Sequence, residues 1–220
     1  MTAFGAFTLL DRIEAAALAT LWHWLPTYLS KVEVQAGLTA GDIPRPESWK
    51  IIASWDELDT DGASPYPALA VISPGATDLQ RNSRMGHDGW ANLTVGAAVS
   101  AENRRFARIT AQRLCVAAWL VLLDKHELRA DLGDDGWSWD EDHDPIAEGV
   151  RTLGPDLTQT PPGDRRNRAA CTVDMGFYIP NLVTQDPGPE APGAADGITP
   201  VPDWPTADAV DIDIDIAPNP

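Results

Sequence analysis

Apolar residues near the N-terminus recur at the spacing of one helical face. These residues are Phe7, Leu10, Ile13, Ala17, Leu21 and Leu25. Their spacing predicts an amphipathic helix over residues 6–25. Pro26 either ends this helix or begins a second short helix over about 26–36, which Gly37 closes.

Three later segments have the apolar character of strands. They are WKIIASW (49–55), PALAVIS (67–73), which is apolar enough for the centre of a sheet, and WANLTVGAAV (90–99). The turn-rich LDTDGASP (58–65) and the polar PGATDLQRNSRMGHDG (74–89) are predicted as loops. Ser100 is the predicted N-cap of the next helix, and Glu102 is placed in its first turn.

The end of the body adds two more elements. Residues 146–153 are predicted as a strand or a short helix. Residues 168–180 are predicted as a strand, because two sets of side chains alternate along it: Ala170, Thr172, Asp174 and Gly176 against Cys171, Val173, Met175 and Phe177. We therefore expect an α/β (α+β) fold, with a mixed sheet flanked by helices in one domain over residues 1–183.

The helix that follows Ser100 changes character along its length, from basic to apolar. Ile109, Ala117, Leu120 and Val121 lie within about 60° of Phe106 on a helical wheel, and this stripe is predicted to pack on the sheet.

The back of that helix is predicted to form a contact. Arg104 and Arg108 point away from the sheet, and Arg105 lies at the flank. Trp119 and Leu122 continue the same back, so the helix ends apolar on every side and must be covered there. The cover is either the N-terminal helix or another subunit, and we hypothesise a subunit contact.

The C-terminal segment, residues 184–220, differs in composition from the body. It has eight acidic residues and no Lys or Arg, and it contains eight of the nineteen prolines. Such a segment is expected to be extended or flexible. Within it, VDIDIDI (210–216) alternates apolar residues, including Ile212 and Ile214, with Asp. This pattern predicts either a strand that docks on a sheet edge or a segment that stays solvated.

Net charge limits the partners of the protein. The 220 residues carry a formal charge of -17, which disfavours wrapping of the phosphate backbone of DNA. Cys115 and Cys171 lie in apolar runs and are expected to be buried free thiols, as in a reducing compartment. The N-terminus has no signal-peptide pattern, and the apolar run 114–123 is half the ~20 residues of a membrane span. We expect a soluble protein made inside the cell, with no membrane partner.

The sequence contains none of the common catalytic motifs, which predicts a protein that is not an enzyme. The sequence has no nucleophile elbow, phosphate-binding loop, dinucleotide fingerprint or C-x-x-C, and its four histidines are dispersed. We therefore predict no catalytic residues and no cofactor.

The acidic segment DLGDDGWSWDEDHD (131–144) is the best candidate for a cation site. Asp131, Asp135 and Gly136 fall on calcium-loop positions, but Gly133 offers no ligand and Asp142 replaces the usual Glu. We predict an exposed acidic loop. A cation site is one alternative, and an acidic contact surface anchored by its two tryptophans, Trp137 and Trp139, is the other.

The loop GDRRNR (163–168) places Arg165 and Arg166 together in an acidic protein. Such a basic cluster could meet either a nucleic acid or the acidic surface of a neighbouring copy, such as 131–144. Repeated head-to-tail association of this kind closes into a ring when the rotation permits.

The order of segments resembles the tail terminator proteins of long-tailed bacteriophages. It runs from the N-terminal helix through YPALAVISPG, LTVGAAV and SAENRRFARITAQRLCVAAWLVLL to VRTLGP and ACTVDMGFYI, over residues 7–180. The resemblance implies a hexameric ring at the head-tail junction of the virion, assembled in the host cytoplasm. That ring caps the tail tube, stops its polymerisation and joins the head connector, while DNA passes through the lumen without specific binding.

Three alternatives remain open from the sequence. Other neck proteins of the head-completion type have segments of similar order and character. A cation-dependent enzyme would use the acids of 131–144. A monomeric adaptor would dock VDIDIDI on a partner's sheet.

Overall fold

The fold is a five-stranded mixed sheet with two helices packed on one face, as expected from the sequence. A computed structural model describes residues 10–54, 66–81, 86–131, 138–156 and 168–184. The elements in chain order are α1 (Leu10–Gln35), β1 (Ser48–Ile51), β2 (Ala68–Arg81), β3 (Gly86–Ser100), α2 (Arg104–Asp124), β4 (Ala130–Asp131), β5 (Ser138–Trp139), β6 (Gly149–Asp156) and β7 (Arg168–Thr184).

The strand order in the main sheet is β1-β2-β3-β7-β6. β1 pairs in parallel with β2, and the other neighbours pair antiparallel. Helix α1 packs over the β1–β2 side and α2 packs over β3 and β7. β4 and β5 form a separate two-stranded ladder, which the sequence analysis did not predict.

Helix α1 continues through Pro26 without interruption, so the predicted break at that residue is wrong. A proline inside a helix removes one backbone hydrogen bond. The buried side chains of Leu21, Leu25 and Leu29 lie on both sides of Pro26 and hold the two halves in one helix. The predicted stop is confirmed, since Gly37 follows the helix with φ 66°.

The predicted loop over 74–89 is largely a β-hairpin. The pairing of β2 with β3 extends from Ala68–Ala98 as far as Arg81–His87, with register shifts along the way. Gly75 lies at one of these shifts with φ 131°, a conformation that glycine adopts without strain. The residues are polar because this part of β2 is exposed, and the backbone bonds between strands do not depend on side-chain polarity.

The last strand confirms the predicted alternation. Cys171, Val173, Met175 and Phe177 are buried beneath the helices. The opposite set faces the other side of the sheet, where Thr94 Oγ1 donates a hydrogen bond to Asp174 Oδ1 at 2.6 Å. Both cysteines are buried and free, as predicted, and Cys115 Sγ donates to the Cys171 carbonyl at 2.8 Å.

The N-cap of α2 is Asn103, so the predicted cap at Ser100 is wrong. The Asn103 side chain accepts a hydrogen bond from the Phe106 N–H at 2.8 Å. Ser100 is instead the last residue of β3, and Glu102 precedes the helix. The strand continues further than its apolar run because Ser100 pairs with Arg168 on β7.

The buried face of α2 is only partly the predicted one, because Ala117 and Val121 are fully buried as predicted but Phe106, Ile109 and Leu120 are not. Ala107, Ala111, Leu114 and Ala118 are fully buried, whereas Phe106 is 49% exposed. Small side chains let the helix lie close to the sheet and to α1, which leaves the larger side chains facing outward. α2 is also long and apolar enough to cross a membrane, but half of its most apolar stretch is buried inside this fold, and the core helix of a soluble protein has the same length and composition.

Candidate interaction surfaces

Helix α2 presents an apolar stripe to the outside of the molecule. The stripe consists of Phe106, Ile109, Val116, Leu120 and Leu123, which recur three, four or seven residues apart. Phe106 is 49% exposed and the other four are half-buried. We call these five residues the α2 stripe.

Basic residues surround the start of the α2 stripe. Arg104, Arg105 and Arg108 are exposed on the first turns, as the wheel predicted, and the half-buried Arg113 lies within the stripe. The surface therefore combines apolar side chains with positive charge in a protein of net charge -17.

The predicted subunit contact through Leu122 is wrong, and only part of the Trp119 side chain is available for such a contact. Leu122 is fully buried inside the chain and offers nothing to a second subunit. Trp119 packs against the core and is partly exposed. Its buried indole N–H has no hydrogen-bond partner among the described residues.

A second apolar surface lies between α1 and β1. A groove of about 260 Å³ is lined by Trp22, Leu25, Pro26, Leu29, Arg45, Pro46 and Trp49. Trp22 is 63% exposed and contacts Trp49 edge to face, with ring centroids 5.0 Å apart. We call this surface the α1 groove. None of its residues was predicted as a site, although the nine tryptophans of the sequence were a signal for such a surface.

A buried carboxylate holds the rim of the α1 groove in place. Glu33 Oε1 accepts hydrogen bonds from the N–H groups of Gly41 (3.1 Å) and Ile43 (3.0 Å) and from Arg45 (3.3 Å). Burial by itself raises the pKa of the Glu33 carboxyl, but these donors outweigh it and lower the pKa below its ordinary value. Arg45, whose side chain lines the groove, is thereby fixed by an ionised partner.

The two helices are tied together at the end of α2. The Tyr28 hydroxyl donates a hydrogen bond to Asp124 Oδ2. Burial raises the pKa of Tyr28 to about 12, and the adjacent Asp124 adds to the effect. The same hydrogen bond lowers the pKa of Asp124.

Trp139, predicted as an anchor for a partner, packs mainly on α1 of its own chain. Its ring stacks on His23 at 4.7 Å and meets Trp24 edge to face at 5.2 Å. Nearby, Arg129 Nε donates to Glu127 at 2.5 Å and its Nη1 donates to the His143 carbonyl at 2.7 Å. Trp139 is thus packed on α1, whereas Glu141, Asp142 and Asp144 of the same segment are exposed, as predicted for an acidic loop.

No cation site is formed by the residues that the structure describes. Among them, no three His, Cys, Asp or Glu side chains come together in a way that would hold a metal ion. Of the predicted segment 131–144, residues 132–137 lie outside the described ranges.

The opposite face of the sheet carries an aromatic and charged cluster that the sequence analysis missed. The Arg151 guanidinium lies 4.4 Å from the Trp90 ring centroid, and Trp90 lies 5.5 Å from Tyr178. Arg151 also pairs with Asp78 at 2.8 Å, and Tyr178 donates to Asp88 at 2.7 Å. These contacts join β6 and β7 to the hairpin of β2 and β3, so the cluster has a structural role.

The remaining predicted site residues lie outside the described part of the chain. These are Trp137, Arg165, Arg166, Ile212 and Ile214. No protein-family model and no curated protein sequence matches the chain.

Proposed function

We propose that the protein is a structural virion protein, a tail terminator that forms a ring at the head-tail junction. The proposed ring caps the tail tube, stops its polymerisation and joins the head connector. Its partners are copies of itself, the tail tube protein and the neck proteins. Hexameric symmetry is the expectation from the resemblance described above.

One observation carries this proposal. The chain has two different apolar surfaces, the α1 groove and the α2 stripe, formed by different residues on different elements. Contiguous exposed apolar surface on a soluble body favours an interaction site. If the stripe of one copy packs against the groove of the next, the contact is heterologous, and repetition produces a ring or a filament.

The charge distribution supports the same arrangement. Arg104, Arg105 and Arg108 flank one contact surface, while the chain as a whole has a net charge of -17. Subunits with an acidic average charge repel one another at long range, and local basic groups offset this repulsion at the contact. An acidic lumen would let DNA pass without binding.

The first experiment measures the mass of the purified protein by light scattering, with negative-stain images of the same peak. A ring-sized particle supports the proposal, as does a monomer that forms rings only on tail tube protein. A chain that remains monomeric and never associates with tube or connector proteins contradicts it.

A mixing experiment tests the heterologous contact itself. Phe106→Glu disables the stripe and Trp22→Glu disables the groove, and both side chains are exposed enough to be replaced without emptying the core. We expect each variant alone to be monomeric, whereas a mixture forms pairs through the two intact surfaces. Val34→Glu is the matched control, because Val34 is 78% exposed on α1 outside both surfaces.

A tube-capping assay separates a terminator from another neck protein. Adding the protein to polymerising tail tube protein should shorten the tubes and leave a ring at one end. A head-completion protein with the same surfaces would bind the connector and leave tube length unchanged.

A further inference from the structure

We propose that residues 210–216 of the same chain, VDIDIDI, add to the outer edge of β6 as a sixth strand of the main sheet. The apolar side chains of this strand would face α2 and its aspartates would face the opposite side. This inference does not depend on the proposed function.

The first support is the open edge of the sheet. β6 pairs with β7 on one side, and in the described part of the chain no strand lies on its other side. An open edge is a template for a further strand. The opposite edge, β1, has only four residues, whereas β6 has eight. Residues 149–152 of β6 pair with β7 without interruption, and beyond them come a register shift and Pro155, which has no N–H to donate.

The second support is the alternation of β6 over residues 149–152, before its register against β7 shifts between Thr152 and Gly154. Val150 and Thr152 of β6 lie opposite Phe177 and Met175, which are buried beneath the helices. Arg151 lies opposite Gly176 and contacts Trp90 on the other face. A neighbouring strand in register would therefore place Ile212 and Ile214 on the helix side and its aspartates on the side of Arg151.

The third support is the position of Trp119, whose apolar side chain extends beyond β7 towards β6. Cys115 faces β7 and Asp124 faces Tyr28 of α1. At 3.6 residues per turn, Trp119 lies about 40° beyond Cys115 and about 140° from Asp124. Because β6 is the next strand beyond β7, the partly exposed Trp119 overhangs the β6 side, where isoleucines on an added strand would pack.

Chain length favours the chain's own edge over that of another copy. Thr184 ends β7, and 25 residues separate it from Val210. A random coil of 25 residues would have a root-mean-square span of about 25–30 Å. The outer edge of β6 is two strand spacings from β7, or about 10 Å, and the pairing of β6 begins at Tyr178, about 20 Å along β7 from Thr184. Both distances are within reach of the segment. The intramolecular contact therefore has an effective concentration near the millimolar range.

Hydrogen exchange of the full chain tests the pairing. We expect the outward amides of β6 to exchange about tenfold or more slowly in the intact chain than in a chain ending at Thr184. The double variant Ile212→Asp with Ile214→Asp should lose this protection, while Asp211→Asn with Asp213→Asn should keep it. Equal exchange in the intact and shortened chains would overturn the proposal.

Engineered cysteines test both the face and the identity of the chain that donates the strand. Thr152 is exposed and lies on the helix side of β6, opposite Met175, so Thr152→Cys is the first substitution. Combined with Ile212→Cys or Ile214→Cys, it should form a disulfide within one chain under mild oxidation, because paired strands bring such Cβ atoms within bridging distance. Combined with Asp213→Cys, which would face the other side, it should remain reduced.

Two outcomes of the cysteine experiment would contradict the inference. Equal cross-linking at positions 212, 213 and 214 would indicate random collision and no strand. Covalent dimers on a non-reducing gel would place the segment on a second copy. Neither outcome affects the proposed ring, which is tested by the stripe and groove variants.

Discussion

At the scale of single residues, the structure uses buried polar groups to fix the segments beside its apolar surfaces. Glu33 is 1% exposed yet ionised, because two backbone N–H groups and Arg45 replace its water. Leaving such donors without their acceptor costs more than the hydrogen bonds themselves contribute. The rim of the α1 groove therefore depends on one carboxylate.

Replacing Glu33 with Gln should lower the free energy of unfolding by about 1–3 kcal/mol, because charged hydrogen bonds are lost. The lowered pKa of Glu33 also has a consequence for pH. Its stabilisation is present above the unfolded pKa of about 4.5 and is lost as the pH falls through the lower folded pKa. Urea titrations at several pH values measure both effects.

Glu47→Gln is the control for the Glu33 variant, because Glu47 is exposed. If both variants showed the same stability and the same pH profile as the original protein, the buried carboxylate would not stabilise the fold.

The contact between Tyr28 and Asp124 gives a second prediction at this scale. Tyr28→Phe removes the hydroxyl and should cost about 1 kcal/mol. The Tyr28 pKa of about 12 implies stabilisation that is complete below about pH 10 and is lost as the pH rises through about 12. Nuclear magnetic resonance titration should show the pKa of Asp124 rising towards its ordinary value in the variant. An unchanged Asp124 titration would argue against this hydrogen bond.

At the scale of elements, a glycine on one strand lets a long side chain of the neighbouring strand lie close to the sheet. Gly176 on β7 lies under Arg151 of β6, and a Cβ at Gly176 would lie 2.9 Å from Arg151 Nε and 3.0 Å from its Cγ. The close approach allows Arg151 to stack on Trp90 and to pair with Asp78. One glycine thus permits contacts among three strands.

Gly176→Ala should push Arg151 away from Trp90 and lower the free energy of unfolding by about 1 kcal/mol, because the side chain that must move is flexible. Thermal and denaturant unfolding measure the loss. Gly149→Ala is a matched control on the neighbouring strand, because a Cβ there would meet its nearest atom at an ordinary 3.6 Å. Equal effects of the two substitutions would contradict a specific role for the close approach.

At the scale of the whole molecule, the proposed ring depends on surfaces formed entirely by the body. The α1 groove and the α2 stripe both lie within residues 22–123. Removing residues 185–220 should therefore leave the number of subunits in the ring unchanged. Light scattering measures this number as the mass of the assembly divided by the mass of the shortened chain. A shortened chain that is only monomeric, beside a full chain that forms rings, would instead assign assembly to the C-terminal segment.

The sequence by itself determined the features that local periodicity encodes. The two-residue alternation of β7, the helical stop at Gly37 and the burial of both cysteines were predicted and confirmed. Periodicity reports which side chains share a face, and a strand with one buried face has little freedom in its register.

Only the tertiary structure decided which apolar face of α2 is buried. That helix is apolar on more than one side, so the choice depends on the volumes of α1 and of the sheet beneath it, and alanines fit that space better than Phe106. Packing also carried α1 through Pro26, and pairing with β3 turned a polar segment into a strand. In each case the deciding interaction comes from another element of the fold, which the pattern within one segment does not contain.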